Sequence, residues 1–110
     1  MQRRSFLTSL AAAQASAQTA PASEYVLGPD SQRHDGVPKG TVTQRQWTSK
    51  IYPGAVRDYW IYVPAQYDAA SPACIMVFQD GGGWVKEDGA IRATVVLDNL
   101  IHKREIPVSI

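Results

Sequence analysis

ACIMVFQDGGGWV, residues 73–85, runs an unbroken apolar stretch directly into three consecutive glycines and a tryptophan. Residues 73–78 lack polar alternation, as expected of a strand covered on both faces, so this segment is predicted to be the central strand of a sheet. Three glycines let the backbone approach a ligand closely and take φ values closed to other residues. Their N–H groups then become candidate donors to an oxygen that gains negative charge. The competing readings are a plain tight turn and a phosphate-binding loop. Neither GxGxxG nor GxxxxGK[ST] is present, which weakens the phosphate reading.

Downstream, Ala93, Val96, Leu97, Leu100 and Ile101 recur at the spacing of one helix face, with Arg92, Asp98, Asn99 and Lys103 on the other side. Glu87 and Asp88 precede this helix, and Lys103 and Arg104 end it, in keeping with the helix dipole. His102, near the helix end, reads as a surface histidine. Residues 106–110, IPVSI, start another strand. Strand, glycine loop, helix, strand is a βαβ unit, so the strands at Ala73 and Ile106 are predicted to be parallel. The ligand site of such a sheet lies at the carboxyl ends of its strands, where the Gln79–Trp84 loop emerges.

Upstream, residues 41–52 alternate as a half-solvated strand, Pro53-Gly54 suits a tight reversal, and VRDYWIYV at 56–63 forms a second strand. The two runs predict an antiparallel hairpin whose second strand is the more buried. Residues 21–40 are rich in Pro, Gly, Ser and Asp without a sustained period and read as an irregular arm, with His34 a solvated loop histidine. Residues 1–20, MQRRSFLTSLAAAQASAQTA, combine paired arginines, a short apolar stretch and small residues suited to cleavage, the pattern of an export signal. RRSFL resembles the twin-arginine motif. Its apolar stretch is far short of the ~20 residues of a membrane-crossing helix, so no stable membrane anchor is expected. The expected location is periplasmic or secreted.

With the signal set aside, roughly 90 residues remain, enough for one small core. The net charge of +1 and the scatter of Arg45, Lys50, Arg57, Lys86, Arg92, Lys103 and Arg104 among acids argue against nucleic acid as a partner. Cys74 is the only cysteine, so no intramolecular disulfide forms. Its apolar neighbours predict a buried small hydrophobe.

The YWIYVPAQYD strand and loop, the VFQDGGGWV strand and loop, and the helix containing VVLDNLIHK together resemble the esterase family related to enterochelin esterase, over residues 40–110. The resemblance implies an α/β fold, here the N-terminal part of an α/β-hydrolase sheet, truncated. It implies oxyanion-hole amides at Gly82 and Gly83, with Gly81 and Asp80 supporting the loop. A carboxylate facing an oxyanion would oppose the chemistry, so the Asp80 side chain is expected to cap loop amides. Trp84 either walls the substrate pocket or packs beneath the loop.

In that fold the nucleophilic serine, the acid and the histidine come later in the chain, beyond Ile110. Ser49, Ser71 and Ser109 lie outside any GxSxG, so none is assigned as nucleophile. The expectation is an N-terminal fragment of an exported serine carboxylic-ester hydrolase acting on a small-molecule ester. No metal or organic cofactor is implied, and the fragment alone is expected to be inactive. The alternative is a non-catalytic exported domain that binds carbohydrate or polyphenol through Trp47, Tyr59, Trp60, Tyr62 and Trp84.

Overall fold

A computed structural model describes residues 26–110, so the expected export signal and the first residues of the arm lie outside the described residues. Among the described residues the chain is a small mixed α/β unit with one two-stranded antiparallel sheet. Strand β1 (Thr41–Thr48) pairs with β2 (Val56–Val63) from Thr41 opposite Val63 to Thr48 opposite Val56. Helix α1 (Gly81–Trp84) is a single turn, and helix α2 (Ala93–His102) is the main helix.

The hairpin forms for local reasons. Ala55 N–H donates to the Tyr52 carbonyl (3.1 Å) across Pro53 and Gly54, and Gly54 takes φ 77°, the arrangement of a type II turn. Ser49, expected in the strand, instead sits just past it, where its Oγ accepts from the Ile51 and Tyr52 N–H groups. β1 is exposed along its whole length rather than half-solvated, while β2 buries Tyr62 and half-buries Trp60 and Val63. The expected inequality between the strands therefore holds, and β1 is more solvated than its alternation suggests.

The segments expected as two further strands meet only at an isolated parallel bridge, Cys74 opposite Ser109, and neither extends into a strand. Cys74 N–H donates to the Val108 carbonyl (2.9 Å), Ile110 N–H to the Cys74 carbonyl (2.8 Å), and Met76 N–H to the Ile110 carbonyl (2.9 Å). The pairing direction matches expectation, but residues 73–78 are not covered on both faces. Ile75 is 83 % and Val77 79 % exposed, and Cys74 is exposed rather than buried. The apolar run reports what this segment needs against it. It carries no information on whether anything supplies that cover.

The core is Tyr62, Leu97 and Ile101, with Ile106 and Val108 packed against them. Helix α2 also buries Asp98 and Asn99, which the sequence pattern placed on the solvent side. The reason is the arm. Asn99 Nδ2 donates to the Asp30 (2.7 Å) and Gln32 (2.8 Å) carbonyls, so residues 29–40 lie over the polar face of α2 as a docked strap. No helix among the described residues is long and apolar enough to cross a membrane.

Candidate functional site

The glycine loop begins with strain. Asp80 takes the left-handed conformation (φ 56°, ψ 42°), a cost for a non-glycine residue that turns the chain sharply out of residues 73–78 and into α1. Its side chain makes no capping bond, contrary to the expected role. Its carbonyl serves instead, accepting from Gly83 N–H at 3.1 Å, while Val85 N–H closes the turn on the Gly81 carbonyl at 3.2 Å. Asp80 supports the loop through its backbone.

The same bond separates the two expected oxyanion donors. Gly83 N–H is used inside the loop, whereas Gly82 N–H has no acceptor among the described residues. The loop rests on Trp60 of β2: a methyl group placed on Gly81 or Gly82 would lie 3.2 Å from the indole ring. A side chain at either position would crowd that ring, but neither glycine takes the left-handed φ that three consecutive glycines led one to expect. Trp60 is the residue missed as a support for the loop. Its signal was the inward-facing phase it shares with Tyr62 along β2.

Trp84 packs on Phe78, with ring centroids 4.8 Å apart and planes tilted by 38°. Of the two readings for this residue, packing is what the structure displays. The five aromatic residues of the binding-domain alternative are not gathered on one surface. Tyr62 is in the core, Trp60 lies against the loop, Trp84 is on Phe78, and only Trp47 and Tyr59 stand exposed on the outer face of the hairpin.

Beside the loop lies a charged cluster with Asp98 at its centre. Asp98, 1 % exposed, accepts from Gly40 N–H (2.8 Å), Tyr62 OH (2.7 Å) and the Arg33 guanidinium. A buried carboxylate demands such partners, because an unpaired charge in that position is costly. Burial first, and then the bond to Asp98, hold the Tyr62 phenol well above its usual range. Burial alone would lower the Arg33 pKa, but its bonds to Glu87 and Asp98 outweigh that and raise it. Arg33 and then Lys39 hold the Glu87 carboxyl below its ordinary range. Glu87, expected to complement the helix dipole, is thus committed to the arm.

His34 also folds back on the arm, its Nε2 donating to the Pro29 carbonyl at 2.8 Å. His102 is exposed at the end of α2. Ser109 is buried and donates to the Pro107 carbonyl, so its hydroxyl is not poised as a nucleophile. A shallow groove lined by Gln66, Ile101, Arg104, Ile106 and Val108 includes none of the glycine-loop residues. Comparison of the chain with protein-family models, with characterised proteins and with solved structures yields no match.

Proposed function

We propose that this chain is the N-terminal part of an exported serine carboxylic-ester hydrolase of the enterochelin-esterase-like type, built on an α/β-hydrolase sheet, and that its glycine loop supplies an oxyanion-hole donor. The Gly82 N–H, which has no acceptor among the described residues and follows directly on residues 73–78, carries the reading. Ligands of α/β sheets bind at the carboxyl ends of the strands, which supports the reading, and the Trp60 ring lies against Gly82. In ester cleavage the carbonyl oxygen gains charge as the tetrahedral intermediate forms. One preorganised amide aimed at that oxygen stabilises it by about 3 kcal/mol in a site that excludes water.

Gly82 is the primary donor in this proposal. Gly83 becomes a second donor only when its bond to the Asp80 carbonyl opens. The serine, the acid and the histidine come from residues that follow this chain. The enzyme acts by acylation and deacylation of its serine on a small-molecule ester, without a metal or organic cofactor.

The test is the coding sequence that follows residue 110. A strand running into GxSxG, then an Asp and a His, is expected; a stop with none of these overturns the proposal. In an enzyme containing this chain, Gly82→Pro removes the donor and lowers kcat about 10²–10³-fold, with a smaller change in KM. Unchanged kcat would remove Gly82 from the oxyanion hole. The 110-residue chain by itself is expected to hydrolyse no p-nitrophenyl acetate above background.

A further inference from the structure

Residues 80–92 carry the glycine loop into helix α2, and both ends of the segment are strained. Asp80 takes φ 56° and Arg92 φ 54°, the left-handed region that costs a non-glycine residue. Strain of this kind persists only where the surroundings enforce it. Within the segment the enforcement is slight. Gly89 N–H closes a turn on the Lys86 carbonyl at 3.3 Å, and that turn folds back on the loop, since a methyl group placed on Gly89 would lie 3.8 Å from the Gly83 carbonyl oxygen.

Every hydrogen bond or ion pair that reaches residues 85–92 from a distant part of the described chain comes from the arm. The Arg33 guanidinium grips Glu87 with two nitrogens, Nη2 at 2.8 Å and Nε at 3.4 Å, and Lys39 Nζ adds a contact at 2.8 Å. Arg92 Nη1 donates to the Ser31 carbonyl at 3.4 Å. A forked guanidinium–carboxylate pair fixes orientation as well as distance. Because Arg33 also donates to Asp98, one side chain ties the segment to the helix that follows it.

We propose that Glu87 is a positioning residue for the Gly82 donor: through it the arm locks residues 85–92 against the glycine loop and so fixes the direction of the Gly82 N–H. Its catalytic consequence rests on the oxyanion reading; the lock itself does not. The Arg33 and Glu87 side chains are 36 % and 39 % exposed, so the lock is held by charges that salt screens. The buried bonds to Asp98 are screened much less. Ionic strength therefore loosens the loop before it disturbs the rest of the molecule.

Glu87→Gln removes the charge at an exposed position and leaves the bonds to Asp98 in place. Amide exchange of the full 110-residue chain, followed by NMR, is expected to quicken about fivefold at Gly83 and Val85, whose bonds close the loop, and to stay unchanged in β2 and α2. Moving the unmodified chain from about 0.05 M to about 0.5 M NaCl reproduces the change, and the variant no longer responds to salt. Unchanged exchange at Gly83 and Val85 overturns the proposal. So does an increase shared equally by β2 and α2, which is general destabilisation. In an esterase containing this chain, Glu87→Gln lowers kcat about fivefold with KM unchanged, measured beside Gly82→Pro. If Gly82→Pro lowers kcat and Glu87→Gln does not, the positioning role is overturned; if neither does, the oxyanion reading fails and the positioning role with it, whatever the exchange shows.

Discussion

Asp98 brings a negative charge to a position 1 % exposed and holds three donors there, Arg33 and Gly40 from the arm and Tyr62 from β2. Asp98→Ala leaves those donors without their acceptor and is expected to cost about 3–5 kcal/mol, measured by urea unfolding. Asp98→Asn keeps an acceptor oxygen and loses the charge that pairs with Arg33, so a smaller loss of about 1–2 kcal/mol is expected. Tyr62→Phe removes one donor and should cost about 1.5–3 kcal/mol at neutral pH. The folded phenol has a raised pKa, so its contribution is complete below the unfolded value of 10.0 and declines as pH rises above it, where only the unfolded chain loses the proton. The stability gap between the unmodified chain and Tyr62→Phe should therefore narrow between pH 8 and pH 11; a gap that widens would contradict the assignment. None of this was legible in residues 93–102 alone. An aspartate and an asparagine on a helix read as solvent-facing unless distant partners exist, and Gly40, Arg33 and the arm carbonyls lie tens of positions away in sequence.

Helix α2 ends in a Schellman motif without its usual glycine. Glu105 N–H returns to the Leu100 carbonyl and Arg104 N–H to the Ile101 carbonyl, both at 3.0 Å, while Arg104 takes φ 60°. A side chain in that conformation costs about 1 kcal/mol, so Arg104→Gly is expected to stabilise the protein by about that amount and raise its thermal midpoint. An unchanged or lower midpoint would mean that the arginine side chain contributes packing worth as much as the strain. At this scale the sequence was informative where the determinant is local. Pro53-Gly54 dictated the reversal, and the 3.6-residue period located α2. The parallel direction in which residues 73–78 and 106–110 meet followed from the helix between them. It was uninformative where cover depends on other elements, as Cys74, Ile75 and Val77 illustrate. The glycine loop was partly legible: three glycines announced close backbone approach, but the Trp60 ring beneath them and the Asp80 carbonyl that occupies Gly83 are consequences of tertiary placement.

For the molecule as a whole, the arm substitutes polar anchorage for apolar bulk. Only Tyr62, Val95, Leu97 and Ile101 are buried hydrophobics among the described residues, so the strap over α2 is a substantial part of what orders the helix. Its outer ion pairs, Arg33–Glu87, Lys39–Glu87 and Lys103–Asp30, are solvent-exposed and weakened by salt. The Asn99 bonds to the Asp30 and Gln32 carbonyls are shielded from it. Asn99→Leu preserves volume and removes both, so trypsin should cut after Arg33 and Lys39 about tenfold faster, followed by mass spectrometry. Equal cleavage rates would show that the exposed ion pairs suffice to hold the arm. These anchors span 54 to 73 positions of chain. During synthesis on the ribosome, the first part of the strap to emerge must therefore wait, unplaced, until the helix it grips has been made, and it becomes one of the last parts of the molecule to find its position.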